Sequence, residues 1–354
     1  MITRRMLLKI VAGTGLAAAA SPLIGFRSAY AQGRPFVFVS WGGALSALEK
    51  EAFMDPASKE FGVNIVNTSP TNYAKLKAMV EGKSVEWDLV DVGGRFIFQG
   101  RDQGLLEEID YKIVDASKLD KRWTTPYGVY TSTGGTVIAW NTNQFPASKG
   151  PTSWKDFWDV KTFPGPRGLY KQLYYNYEAA LLAAGTKFDE VYPVTDEKVK
   201  LALAKLGEIK PHVKVWWSAG AQPPQLLSTG ELAMSSAWTG RIIDIQKEKA
   251  PVAMTLKDGI AWGNAYVVPK GTPHRELAMR VINYCISEPA QLRLLSVGTY
   301  GPVLSSAAAK GTAEQRKLLV TAPENIKDML VLNEEQAGLY SSKYEEAWNK
   351  FQLG

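Results

Sequence analysis

Residues 32–354 are predicted to form an α/β fold, and three observations predict it. Runs of β-favouring apolar residues alternate with apolar residues at helical spacing along the chain. Two of the strand-like runs stop at glycine pairs, in Trp41-Gly42-Gly43 and Gly93-Gly94-Arg95. The length suits two domains or one large one.

In chain order, Phe36-Val37-Phe38-Val39 reads as a buried strand. Leu45, Leu48, Ala52 and Phe53 then fall on one helical face. Val63-Asn64-Ile65-Val66 reads as a second strand, 73–80 as a helix, and Asp88-Leu89-Val90-Asp91-Val92 as a third strand. Later strands are expected at 135–140, 232–236 and 265–268. Further helices are expected at 154–158, 177–184, 196–206, 240–248, 275–287 and 289–295. Glycine and proline concentrate in loops around 146–168 and 219–224, and no repeat or low-complexity tract is present.

The first 31 residues read as a leader rather than as fold. Thr3-Arg4-Arg5-Met6-Leu7-Leu8-Lys9 fits a twin-arginine pattern, an alanine-rich apolar stretch covers 10–26, and Ala29-Tyr30-Ala31 is a small-x-small cleavage signal. Gly13, Gly15 and Pro22 interrupt the apolar stretch, which suits a membrane anchor poorly. The expected location is therefore the periplasm.

The formal charge of +6 partly belongs to that leader. Without Arg4, Arg5, Lys9 and Arg27, 37 basic residues face 35 acidic ones. The chain has no basic run interleaved with aromatics, so nucleic acid is not an expected partner. The single cysteine, Cys285, lies in an apolar run and reads as a buried, inert thiol. His212 and His274 each adjoin a proline and fall in no motif. An imidazole-based metal site or a Ser-His-Asp hydrolase therefore has little to work with. The best carboxylate pair, Asp88 and Asp91, is three apart on a strand, so its side chains face opposite sides. No enzyme activity and no cofactor are expected.

Ligands of open α/β sheets bind at the carboxyl ends of strands, where both glycine pairs lie. Glycine there allows close approach, and a helix N-terminus favours negative charge. The first turn lacks G-x-G-x-x-G, which disfavours a dinucleotide site.

Several stretches then resemble the spermidine/putrescine-binding group of periplasmic substrate-binding proteins of ABC importers. They include Val39-Ser40-Trp41-Gly42, Trp87-Asp88-Leu89-Val90, Ile138-Ala139-Trp140-Asn141, Thr152-Ser153-Trp154, Ala237-Trp238-Thr239-Gly240, Gly259-Ile260-Ala261-Trp262 and Ala265-Tyr266-Val267-Val268-Pro269. The resemblance runs through nearly the whole of 32–354. It implies a two-lobed periplasmic-binding-protein fold with a ligand cleft between lobes joined by hinge crossovers near 139–141, 263–265 and 307–309. One lobe is then 32–138 with 264–306, and the other 141–262 with 310–354. It also implies a monomer that hands a small ligand to the permease subunits of an ABC importer.

The resemblance places an aromatic box at Trp41, Trp238, Trp262 and Tyr300, with Gly42 at its lip. Aromatic faces attract alkylammonium groups. The acids of the polyamine site do not carry over: their positions fall at Asn264, at Lys171 or Gln172, and at Tyr175, while Gly93 and Arg95 occupy those of a hydroxyl-bearing pair. Buried ammonium groups need carboxylates, and an arginine holds a carboxylate bidentately. The expected ligand is thus an amine- and/or carboxylate-bearing solute, an ω-amino acid such as γ-aminobutyrate or an opine-like compound. A polyamine is the alternative. A sugar, which stacks on tryptophan, a ferric ion at Tyr174-Tyr175, and a secreted hydrolase are more remote ones. The bland reading of Arg95 is a surface cation at a helix end.

Overall fold

The computed structural model describes residues 34–298 and 300–354. The expected leader lies outside them. The strands are Phe36–Val39 (β1), Ile65–Thr68 (β2), Leu89–Gly93 (β3), Thr124–Thr125 (β4), Gly128–Asn141 (β5), Arg167–Tyr170 (β6), Val213–Trp217 (β7), Met234–Trp238 (β8), Val252–Val267 (β9), Gly301–Pro302 (β10) and Leu330–Val331 (β11). Hydrogen-bonded neighbours run β2-β1-β3-β9-β5-β8-β6-β7. The outer groups, β2-β1-β3 and β8-β6-β7, are parallel and alternate with helices. The junctions β3-β9, β9-β5 and β5-β8 are antiparallel.

The two long central strands carry the chain between two cores. The first gathers Phe38, Val39, Leu89, Val90, Val129, Tyr130, Tyr266 and Val267. The second gathers Ile138, Trp140, Trp154, Leu169, Ile260, Trp262, Leu330 and Tyr340. On β5 the side chains change core within Thr131-Ser132-Thr133-Gly134-Gly135-Thr136, all buried. Small residues there leave room for a cleft where the cores part. On β9 the change falls between Trp262 and Ala265. This is the α/β, two-core arrangement the sequence implied.

The central strands are longer than expected. The Thr-Ser-Thr-Gly-Gly run of β5 and the half-exposed start of β9, with Lys257 and Asp258, lack the apolar runs that mark a strand. β6 and β7 have no counterpart among the expected strands, and the helix Gln222–Ser228 begins inside the stretch 219–224 that reads as loop. Asp88 and Asp91 do point to different surroundings. Asp88 accepts from Val37 N (2.8 Å) and Thr272 Oγ1, whereas Asp91 lies beside Glu49. Cys285 is fully buried, and burial pushes its thiol up.

Two fully buried acids make a stability prediction. Glu178 accepts from Tyr192 Oη (2.9 Å) and Tyr340 Oη (3.1 Å), and burial pushes it up to about 7. Glu49 accepts from Ser40 Oγ and Tyr266 Oη (2.9 Å) and is likewise pushed up to about 7. A carboxyl whose folded pKa exceeds its unfolded value favours folding below the unfolded value. That contribution is lost as the pH rises through the folded value. The ligand-free protein is therefore expected to lose stability between about pH 5 and 7, on the order of 3 kcal/mol from Glu178, with Glu49 acting in the same direction. Thermal unfolding across pH checks this, and Glu178→Gln should flatten the slope. A midpoint that rises over that window contradicts it.

Candidate ligand-binding cleft

The lip of the cleft follows from two strand ends. β1 runs out at Ser40-Trp41, and Gly42 and Gly43 take φ of +91° and +62°, which lets the chain turn directly into the helix Gly43–Glu49. Trp41 is left 40% exposed, its ring edge-on to Tyr73 at 5.8 Å. Tyr73 stacks on Phe96 at 3.9 Å and accepts from Gly93 N (3.2 Å).

The opposite wall comes from β8, β9 and the start of the helix Leu173–Ala184. Trp262 lies across Gly134, its registered partner on β5, where a Cβ would stand 2.6 Å from the indole. Its Nε1 donates to Thr136 Oγ1 (3.1 Å), which fixes the ring plane. Trp238 crosses it at 6.4 Å and 77°, and Tyr175 faces it at 6.4 Å. Tyr175 has φ +68°, ψ −34°, a strained backbone for a tyrosine. Asn264 donates to Ser132 Oγ at 3.3 Å.

These walls enclose a cavity of about 340 Å³. Of the residues singled out from the sequence, Trp41, Gly42, Gly93, Arg95, Tyr175, Trp238, Trp262, Asn264 and Tyr300 all line it. Lys171 does not. It is exposed and lines an adjoining, more polar cavity of about 660 Å³ that Arg95 also borders.

Two important residues were not singled out, and Tyr174 was read only as half of a ferric-ion pair. Arg241, on the helix Thr239–Lys247, and Glu334, which opens the helix Glu334–Lys343, line the cavity together with Tyr174. Arg241 had a readable signal. β3 is followed by Gly94-Arg95 and β8 by Thr239-Gly240-Arg241, so both strand–helix junctions carry Gly-Arg in the first helical turn. Glu334 had none, because it arrives from a distant segment.

The charges sit in two groups. Arg241 lies near Tyr300, and its field opposes the burial that raises that phenol. Arg95 lies 4.8 Å over the Tyr174 ring, and Tyr174 Oη donates to Glu334 Oε2 (2.6 Å). Burial pushes Glu334 up to about 7, against the pull of Tyr174 and Arg95. Three polar atoms of the lining are buried without a hydrogen-bond partner: Trp238 Nε1, Arg241 Nε and Glu334 Oε1. Two are donors and one is an acceptor. A donor or acceptor left without any partner costs about 1–3 kcal/mol, so a ligand or water that reaches these atoms is held there. Among the described residues, no group of three or more His, Cys, Asp or Glu is placed to hold a metal ion.

Two cores joined by long strands, with an aromatic cleft where they part, define a protein that captures a small solute. The chain belongs to the bacterial extracellular solute-binding protein family, whose model matches residues 51–321. It is 35% identical over 327 residues to the gamma-aminobutyric acid-binding protein of Pseudomonas aeruginosa, covering 91% of this chain and 92% of that one. It is similar in structure to an ABC transporter substrate-binding protein from Bradyrhizobium japonicum, with TM-score 0.84, 33% identity, and 90% and 99% of the two chains covered. It also resembles the PBP MotA from A. tumefaciens B6 in complex with glucopine, with TM-score 0.80, 34% identity, and 90% and 99% covered. Proteins of this family bind small molecules outside the cytoplasm and work with ABC-transporter permeases.

Proposed function

We propose that the protein captures a zwitterionic ω-amino acid of the γ-aminobutyrate type in the periplasm and delivers it to an ABC-importer permease. The observation that carries this is the set of unpartnered polar atoms in the aromatic cavity. Arg241 Nε and Trp238 Nε1 ask for an acceptor, which a carboxylate supplies. The aromatic faces of Trp41, Trp238 and Trp262 suit methylenes and an ammonium group. Glu334 alone among the lining residues is acidic, too little charge for two or more buried ammonium groups. The 35% identity to a gamma-aminobutyric acid-binding protein supports the same reading.

In this proposal Trp41, Gly42, Gly93, Arg95, Tyr175, Trp238, Trp262, Asn264 and Tyr300 form the site with Arg241. The lobes are joined by crossovers near 263–265 on β9 and near 307–309, and by one on β5 that we move from the expected 139–141 to 131–136, because Ile138 and Trp140 already pack in the second core. The monomer leaves the cytoplasm by the twin-arginine route. An opine-like conjugate is a second reading, favoured by the adjoining polar cavity lined by Lys171, which offers a longer ligand room, and by the likeness to a glucopine-bound protein.

Thermal shift of residues 32–354 against amino acids, γ-aminobutyrate, opines, organic acids, polyamines and sugars tests the proposal. A ligand at 100 times its Kd adds about 2.7 kcal/mol. Stabilisation by ω-amino acids or opines supports it, and stabilisation by polyamines or sugars alone contradicts it. Trp41→Ala is expected to weaken the hit by about 1–3 kcal/mol with little loss of fold. Unchanged affinity in a titration removes Trp41 from the site.

A further inference from the structure

We infer that Glu334 accepts the ligand's ammonium group and so makes the cleft select amines among carboxylates. The inference rests on the proposed zwitterionic ligand and deepens it by naming the residue that recognises the amine. Asn264, at the strand position that holds an acid in the polyamine-binding proteins the chain resembles, is neutral. The negative charge of the cavity comes instead from the start of the helix Glu334–Lys343.

The geometry is that of a held carboxylate with one free oxygen. Glu334 is only 5% exposed. Its methylene and carboxyl carbon press against Gly94, where a Cβ would stand 2.6 Å from Cγ and 2.8 Å from Cδ. Tyr174 Oη fixes Oε2 at 2.6 Å. Oε1 has no hydrogen-bond partner and borders the cavity. Arg95 is near enough to pull the carboxyl down, yet burial still wins and leaves it at about 7. An ammonium at Oε1 would supply both the missing donor and the missing positive charge. Arg241, by contrast, pulls down the Tyr300 phenol, while Arg95 pulls down Tyr174. A ligand with separated charges can therefore meet one group with each end.

The competing role for Glu334 is structural: a carboxylate over the first turn of the helix Gly94–Asp102, joining two elements whatever the ligand. Calorimetric titration of wild type and Glu334→Gln with γ-aminobutyrate and with butyrate, which lacks only the amine, separates the two. Wild type should prefer γ-aminobutyrate at least a hundredfold. The variant should lose most of that preference through weaker γ-aminobutyrate binding, while holding butyrate at least as well as wild type does. Equal losses for both ligands mean a structural role and overturn the inference. So does a wild type that binds butyrate as well as γ-aminobutyrate, although the carboxylate reading would then survive. Failure to bind any carboxylate would overturn that reading and this one together. Glu334→Asp keeps the charge but withdraws it by one methylene, and it serves if Glu334→Gln does not fold. It should shift the preference from γ-aminobutyrate toward 5-aminopentanoate by about tenfold, and an unchanged chain-length preference contradicts the inference.

Discussion

Arg241→Ala is expected to weaken γ-aminobutyrate binding by about 2–5 kcal/mol, the usual cost of truncating one partner of a buried, hydrogen-bonded charge pair. The reasoning starts from the unliganded cleft. Arg241 is half-buried, and its inward-turned Nε makes no hydrogen bond in the fold. A carboxylate that reaches it gains a charge-assisted hydrogen bond. The guanidinium stands in the first turn of the helix Thr239–Lys247, whose N-terminal amides favour the same negative charge. Ligand-free unfolding should change little, because among the described residues this side chain makes no hydrogen bond or ion pair within the fold. Calorimetry on the variant checks the prediction. An affinity within threefold of wild type would take the carboxylate away from Arg241.

Gly94→Ala should have the second large effect, and on both fold and function. A Cβ there would stand 2.3 Å from Tyr130 Oη and 2.6 Å from Glu334 Cγ. Tyr130 is buried on β5 and Glu334 is held by Tyr174, so neither is a flexible surface chain free to swing aside. Overpacking of this kind costs about 1–3 kcal/mol. The chain must also move Glu334, and with it the acid of the cavity. Denaturant unfolding should show a lowered midpoint, and titration should show weaker γ-aminobutyrate binding than the stability loss explains. A variant of wild-type stability and affinity would mean that the helix Glu334–Lys343 does not press on Gly94.

Much of this site was legible in the sequence, for definite reasons. Trp41 and Trp238 follow strand-like runs and precede helical ones, and that junction is where open α/β sheets expose side chains to a ligand. The lip at Gly42-Gly43 was legible because two glycines between a strand and a helix signal left-handed backbone, and both adopt it. Periodicity found the helix Trp154–Trp158 at its observed bounds. It missed the helix Gly94–Asp102, which opens on glycine and carries Arg95, Gln99 and Arg101 among its apolar residues. It also shortened β5, whose buried Thr, Ser and Gly residues match no apolar pattern. Lys171 was carried into the cleft by the resemblance to the polyamine site, and it lines the adjoining cavity instead, because a match of positions does not fix which of two neighbouring cavities a side chain enters. Glu334 was invisible because its place depends on β11 pairing with β9, which brings Leu330 beside Ile260. Contacts across so large a sequence separation leave no local trace.

The central claim is that the cavity reads a zwitterion, with one acidic and one basic recognition group at different ends. It is tested most directly by titrating residues 32–354 calorimetrically with γ-aminobutyrate and with putrescine, which share a short methylene chain and an ammonium end. They differ in whether the other end is a carboxylate or a second ammonium. The account predicts that γ-aminobutyrate binds at least a hundredfold more tightly. Putrescine binding as tightly, or more tightly, would mean that Arg241 and Arg95 do not face the ligand, and would return the cleft to polyamine recognition.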